Sequence, residues 1–297
     1  MKFVSELSKE SLICTELKVR DYKELLKCAF GDEPNKIIFV ETICEIFSKI
    51  SNKEPEYFKK LNVIDLFCLL LDVRINSQGD VCKVVITKED KQMNLELRLD
   101  YIRDDMKAAF GSFSGSIIKQ NNIDILFECP SIERLMHEAD EEYLYFIKGA
   151  TIKSPSERFI ETKTNEEASL LFERLAPKVS LQIIEKFEQF VQQATSINFL
   201  SRYGITNQKL SFLPSLDSLI WFTKLMFNES LETFYDNMFY LSHSAHMSSE
   251  YIENCIVGEY TYFVNCLQRT LAVNSPNPTP DDEFISDEEA GLSEEQI

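Results

Sequence analysis

The 297 residues exceed the length of a typical single domain, so the chain reads as one elaborate domain or two. Apolar residues make up 44%, with 22 Phe and 11 Tyr, which supplies a core and excludes global disorder; only 8 Gly and 9 Pro argue against a turn-dense all-β fold. The formal charge of −18 repels a phosphate backbone, and no basic, aromatic-interleaved stripe reverses it locally, so direct nucleic-acid binding is not expected.

In chain order, Val19, Tyr22, Leu25, Leu26, Ala29 and Phe30 keep helical spacing up to Gly31. Val40, Ile43, Phe47 and Ile50 repeat it in a second helix ended by Ser51-Asn52. Asn62 reads as the N-cap of a third helix, VIDLFCLLLDV, which is apolar nearly all round and is expected to be the most buried element of this region. Val73 to Ile75, the turn Asn76-Ser77-Gln78-Gly79 and Val81 to Thr87 then read as a hairpin.

Leu95, Leu97 and Leu99 alternate with Glu96 and Arg98 in a strand over 94–100. Ile123 to Glu128 alternates less cleanly; Pro130 closes it, and Ser131 caps a short helix, SIERLMHEA. Tyr143 to Ile152 reads as a further strand. Helix returns from Asn165. Pro177 suits a first-turn position of a long helix with Leu181, Ile184, Phe187, Val191 and Ala194 on one face. Three more helices are expected, Leu216 to Phe227, Leu231 to Leu241 and Tyr251 to Leu271, the last capped by Ser248 or Ser249.

The expected fold class is therefore α+β, mainly helical, with a small antiparallel sheet inserted after the N-terminal helices. Its parts are a helical part (1–75), a β-rich part (76–160) and a C-terminal helical part (161–273) that can be continuous with the others. A disordered acidic tail (274–297) follows. Eight carboxylates, Asp281, Asp282 and Glu283 among them, fall in the last 17 positions, where no Lys or Arg occurs. Without them 41 acidic residues face 31 basic ones.

Chemistry-bearing residues are sparse in pattern. Cys14, Cys28, Cys44, Cys68, Cys82, Cys129, Cys255 and Cys266 form no C-x-x-C pair, the N-terminus MKFVSELSKESL has no long apolar segment, and no stretch reaches the ~18 apolar residues of a membrane span. Buried, reduced thiols in a cytosolic protein are expected, with no membrane contact. His243 and His246, at i and i+3, could share a metal with Asp236 and Cys255, but H-x-x-H lacks the zincin glutamate, and helix-end histidines favoured by the macrodipole are the plainer reading. Cys129 and His137 invite a thiol–imidazole pair, which Glu128 and Glu133 oppose by raising the thiol pKa. FGSFSGS (110–116) has the wrong spacing for a phosphate loop, and its Ser114 is not in a G-x-S-x-G elbow. The run Glu138, Asp140, Glu141 and Glu142 reads as a solvated helix end. No catalytic, cofactor or metal residue is assigned. The aromatics Trp221, Phe222, Phe227, Phe234, Tyr235, Phe239 and Tyr240 keep helical spacing; core is the default, and a partner-binding face is the alternative, with Trp221, Phe222, Phe234, Tyr235 and Phe239 as its candidates beside Asp281, Asp282 and Glu283 of the tail.

ELKVRDYKELL (16–26), EYFKKLNVIDLFCLLLDVRI (56–75), DILFECPS (124–131), EEYLYFIKGATI (141–152), SLQIIEKFEQF (180–190), SLIWFTKLMFNESLETFY (218–235) and EYIENCIVGEYTYFVNCLQ (250–268) follow one another in an order that resembles the small baseplate-hub and hub-assembly proteins of T-even-type phages. The likeness spans about 12–272 as an ordered pattern. Where a relative carries C-x-x-C at the sheet, this chain has a lone Cys82, so no zinc is carried over. The resemblance implies a non-enzymatic protein of virion morphogenesis that contacts other hub or tail proteins. It would act in the host cytoplasm during assembly, and in the virion baseplate if it is built in. A cytosolic adaptor or chaperone unrelated to phage, and a metal-dependent or thiol enzyme, are the competing readings.

Overall fold

The computed structural model describes residues 1–4, 11–31, 35–88, 91–110, 116–119, 122–153, 156–206 and 214–273. Helices take up 62% of them and the strands form small antiparallel sheets, so the fold is mainly helical α+β, as scarce glycine and proline imply. Strands β1 (Lys2–Val4) and β2 (Ser11–Ile13) pair antiparallel and bury Phe3 and Leu12. Helix α1 (Val19–Phe30) buries Val19, Tyr22, Leu25, Leu26 and Ala29, one stripe at the 3.6-residue period. In α2 (Lys36–Ser51) the Asn35 side chain accepts the N–H groups of Ile37 and Ile38, and Asn52 ends the helix in the left-handed region at φ 58°. Helix α3 (Pro55–Lys59) begins on its proline.

Asn62 caps α4 (Val63–Gln78) by accepting the Asp65 N–H, and twelve of this helix's sixteen residues are buried. Here the structure corrects the sequence reading. Residues 73–78 form no strand and turn: α4 runs through them and stops at Gly79, whose φ is 89°. Arg74 bonds the carbonyls of Gly79 and Val81, and Ser77 Oγ bonds Val73 four residues back, so the polar run serves the helix end instead of a hairpin turn. The hairpin lies further on, β3 (Val81–Lys88) against β4 (Lys91–Arg98), with Val84 opposite Leu95. Leu99 ends the alternation by opening α5 (Leu99–Phe110).

A four-stranded antiparallel sheet follows in the order β5 (Ser116–Lys119), β6 (Ile123–Phe127), β7 (Ile147–Ile152), β8 (Arg158–Glu161). Between β6 and β7 the Ser131 side chain caps α6 (Ile132–Leu135), and Glu142–Phe146 forms a 3₁₀ turn, so the strand expected from Tyr143 begins only at Ile147. Arg134 holds that turn by donating to the Leu144 carbonyl at 2.9 Å.

Thr164 caps α7 (Asn165–Glu173), and α8 (Pro177–Ser196) starts on Pro177. The buried face of α8 is Val179, Ile183, Phe190 and Ala194; Leu181 is 59% exposed, so the apolar stripe is rotated from the expected one. Helices α9 (Leu216–Phe227) and α10 (Leu231–His243) match the sequence pattern. The last expected helix is two, α11 (Ser249–Asn254) and α12 (Val257–Val273). They part where Lys18 and Ile256 form an antiparallel bridge, Val19 N–H bonding Cys255 O and Val257 N–H bonding Leu17 O.

One buried apolar cluster runs from Phe3 to Val264. Helix α1 packs on α9, α10, α11 and α12, and α4 packs on α9 and α12, so the first and last helices share that core. The sheet joins it at a bridge between Asn62 and Ser131, where the two cap residues pair and Val63 N–H bonds Pro130 O while Ile132 N–H bonds Leu61 O. Among the described residues no helix is long and apolar enough to cross a membrane.

Candidate functional site

Burial disfavours the thiolate form of Cys14, Cys28, Cys44, Cys82, Cys129 and Cys255. Burial pushes Cys14 up to about 11 and Cys28 and Cys44 up to about 12, and it raises Cys82 and Cys255 as well. Cys129 is raised by burial first and then by Asp65 and Glu128, while the N–H groups of Ile64 and Val63 at the start of α4 oppose this. His137 is exposed, and its carbonyl accepts the Asn165 side-chain amide. His243 and His246 are exposed, His246 in the left-handed region at φ 55°, and Cys255 is buried. Among the described residues no group of three or more His, Cys, Asp or Glu converges as a metal site. Ser114 and the acidic tail, with Asp281, Asp282 and Glu283, lie outside the described residues.

The aromatic run of α9 and α10 divides into core and surface. Phe222 is fully buried, its ring 5.2 Å from Phe67 and 5.8 Å from Phe199. Phe234 is also fully buried, 5.9 Å from Tyr22 and 5.5 Å from Tyr260. Neither is available to a partner, which corrects their place among the contact candidates. Trp221, Tyr235 and Phe239 do reach solvent, at 47%, 46% and 61%. Trp221 belongs to α9, one turn beyond Asp217, which pairs with Lys36 at 2.7 Å.

On α10 the exposed positions are Glu232, Tyr235, Asp236, Phe239, Tyr240 and His243, with Thr233 at the edge of the first turn. Their spacing places them on one face of the helix, opposite the buried Phe234, Asn237 and Leu241. Phe239 and His243, one turn apart, stack with ring centroids 5.5 Å apart and planes at 18°. Tyr240, Glu232 and His243 were not singled out as contact residues from the sequence. The signal that would have found the face is a charge pattern: from Leu225 to Gln268 there are six carboxylates and no Lys or Arg.

The base of α10 is fixed. Ser230 caps the helix by accepting the Thr233 N–H. Just before it, Glu229 gathers three elements. Its Oε2 accepts the Tyr22 hydroxyl at 2.8 Å, and its Oε1 accepts the Tyr260 hydroxyl and the Asn237 amide, each at 3.0 Å. Burial, then the Glu229 charge, holds both tyrosine hydroxyls well above their ordinary pKa. The exposed stripe is thus carried on a helix tied to α1 and α12. Comparison with protein-family models, curated proteins and solved structures found no match.

Proposed function

We propose that the chain is a non-enzymatic assembly protein that works by presenting a rigid surface to other proteins. Its partners are subunits of the central hub of a contractile-tail baseplate, as the resemblance to T-even-type hub proteins implies. The observation that carries the first part is the α10 stripe: three rings on one solvent-facing side of a helix whose opposite side is locked into the core. Rigid aromatics lose little conformational entropy on binding and are the residue type that concentrates interface energy. The raised thiol pKa values give no support to the thiol-enzyme alternative. The protein acts in the host cytoplasm while the tail is built, and stays in the particle if it is a built-in component.

Co-expression of the full chain with individual hub and tail-tube subunits of such a phage tests this. A complex that survives size exclusion with one of them, and is lost when Tyr235 and Phe239 are both changed to Ser, is the expected result. Failure to form a complex with any tail subunit overturns the baseplate reading and leaves the adaptor unrelated to phage.

A further inference from the structure

We infer that the α10 stripe takes a Lys/Arg-bearing segment of its protein partner. This deepens the reading of α10 as a contact surface and rests on it. The ring faces of Tyr235 and Tyr240, and the face of Phe239 turned away from the stacked His243, are sites of negative potential, and Glu232 and Asp236 sit among them on the same side of the helix. Glu232 and Asp236 make no ion pair among the described residues. Two cations of α1, the helix packed beside α10, are already engaged: Lys27, which feels the Tyr235 hydroxyl, pairs with Glu24 at 2.8 Å, and Lys23 pairs with Glu253 of α11. From Leu225 to Gln268 the chain has no Lys or Arg.

Charge also disposes of the other occupants. A second copy would bring a chain of formal charge −18 against the same acidic face. The residues from Asp281 to Ile297 carry eight carboxylates and no Lys or Arg, so they too are repelled. A cationic side chain is different: it can lie over a ring with its aliphatic stem while its charge reaches Glu232 or Asp236. Arg suits this better than Lys, because its planar guanidinium both stacks on a ring and bonds a carboxylate at two points.

The test uses the full chain and three fluorescently labelled peptides of about 15 residues, sized to span the face of a short helix. They share alternating Leu and Ala and differ only in the intervening residue, which is Arg, Gln or Glu. The Arg peptide is expected to bind and to shift backbone NMR signals across 232–243. The double variant Phe239→Ser/Tyr240→Ser should weaken it about tenfold, and Glu232→Gln/Asp236→Asn should weaken it several-fold and flatten its salt dependence. Changing Asp281, Asp282 and Glu283 to amides should leave affinity within about twofold. Because all these positions on α10 are exposed, circular dichroism should report an unaltered fold. Equal binding of the Arg peptide to the wild type and the Phe239→Ser/Tyr240→Ser variant overturns the inference, as does no binding. Binding of the Gln or Glu peptide with the Arg peptide's affinity at α10 keeps the contact surface and overturns the cationic partner. Expected peptide behaviour with no hub subunit captured leaves this inference standing and removes the baseplate reading.

Discussion

Arg134 is a buried cation whose donors meet neutral acceptors. Its Nε reaches Asn165 Oδ1 at 3.0 Å, Nη1 reaches the Ile147 carbonyl at 2.6 Å, and Nη2 reaches the Leu144 carbonyl at 2.9 Å. Burial lowers its pKa to about 10, with the Glu167 charge working the other way. The guanidinium therefore acts as a clamp on the 3₁₀ turn, β7 and α7. Arg134→Met keeps much of the volume and strands these acceptors, so a loss of about 3 kcal/mol in urea unfolding is expected; a loss under about 1 kcal/mol would show the clamp to be redundant. The thiols set a pH limit of the opposite sense. Cys14, Cys28 and Cys44 ionise at about 9 when unfolded and at about 11 to 12 when folded. With the folded pKa raised, the unfolded state releases protons first, and stability present below pH 9 is lost as pH climbs toward 12. Tyr22 and Tyr260 add to the loss above their own ordinary value. Thermal melts should be level from about pH 7 to 8.5 and fall steeply above pH 9; an unchanged midpoint at pH 11 contradicts this account.

At the scale of elements, one residue each gives a selective handle on β8 and on α10. Gly149 lies opposite Glu161 in β7, and a Cβ there would collide with the Ile160 carbonyl and stand 2.8 Å from the Phe159 ring. Gly149→Ala should cost about 2 kcal/mol and speed amide exchange across Arg158–Glu161, while exchange in α10 stays as it was. Glu229→Ala should do the reverse: about 2 kcal/mol lost, with faster exchange in α10 and an intact β8, because Tyr22, Tyr260 and Asn237 lose their common acceptor. What the sequence made legible follows the same division between local and long-range causes. The helix starts at Asn62, Ser131, Pro177 and Ser248 are local signals, and all four stand in the structure. The break at Cys255 was hidden because its cause is Leu17 and Lys18, more than two hundred residues away. Asn76-Ser77-Gln78-Gly79 carried a turn signal that Arg74 overrides from within the helix. The aromatic run of α10 could not be sorted into core and surface by composition, since Phe234 and Phe239 are the same residue type on opposite faces.

For the molecule as a whole, the contacts between the ends of the chain decide how it folds. Tyr22 to Glu229, Arg74 Nε to the Met226 carbonyl at 2.7 Å, and the paired bonds of Val19 and Val257 all join residues from before 75 to residues after 225. Each is backed by apolar contact, Phe67 on Phe222 and Tyr22 on Phe227 among them. A fragment ending at 160 would expose α4, a helix buried on nearly every side, and a fragment of 161–273 would expose the faces of α9 and α12 that cover it. Each half would have to leave that apolar surface in water, which removes part of the burial that offsets chain entropy. Residues 1–160 and 161–297 expressed separately should each fail to give cooperative melting, and co-expressed they should recover a helical complex with one transition. A separately folded 161–297 fragment with native-like exchange protection in α10 would mean that the stripe is carried by an independent domain. In that case the ties to α1 are an interface added to that domain, and Tyr22→Phe should leave binding at α10 unchanged.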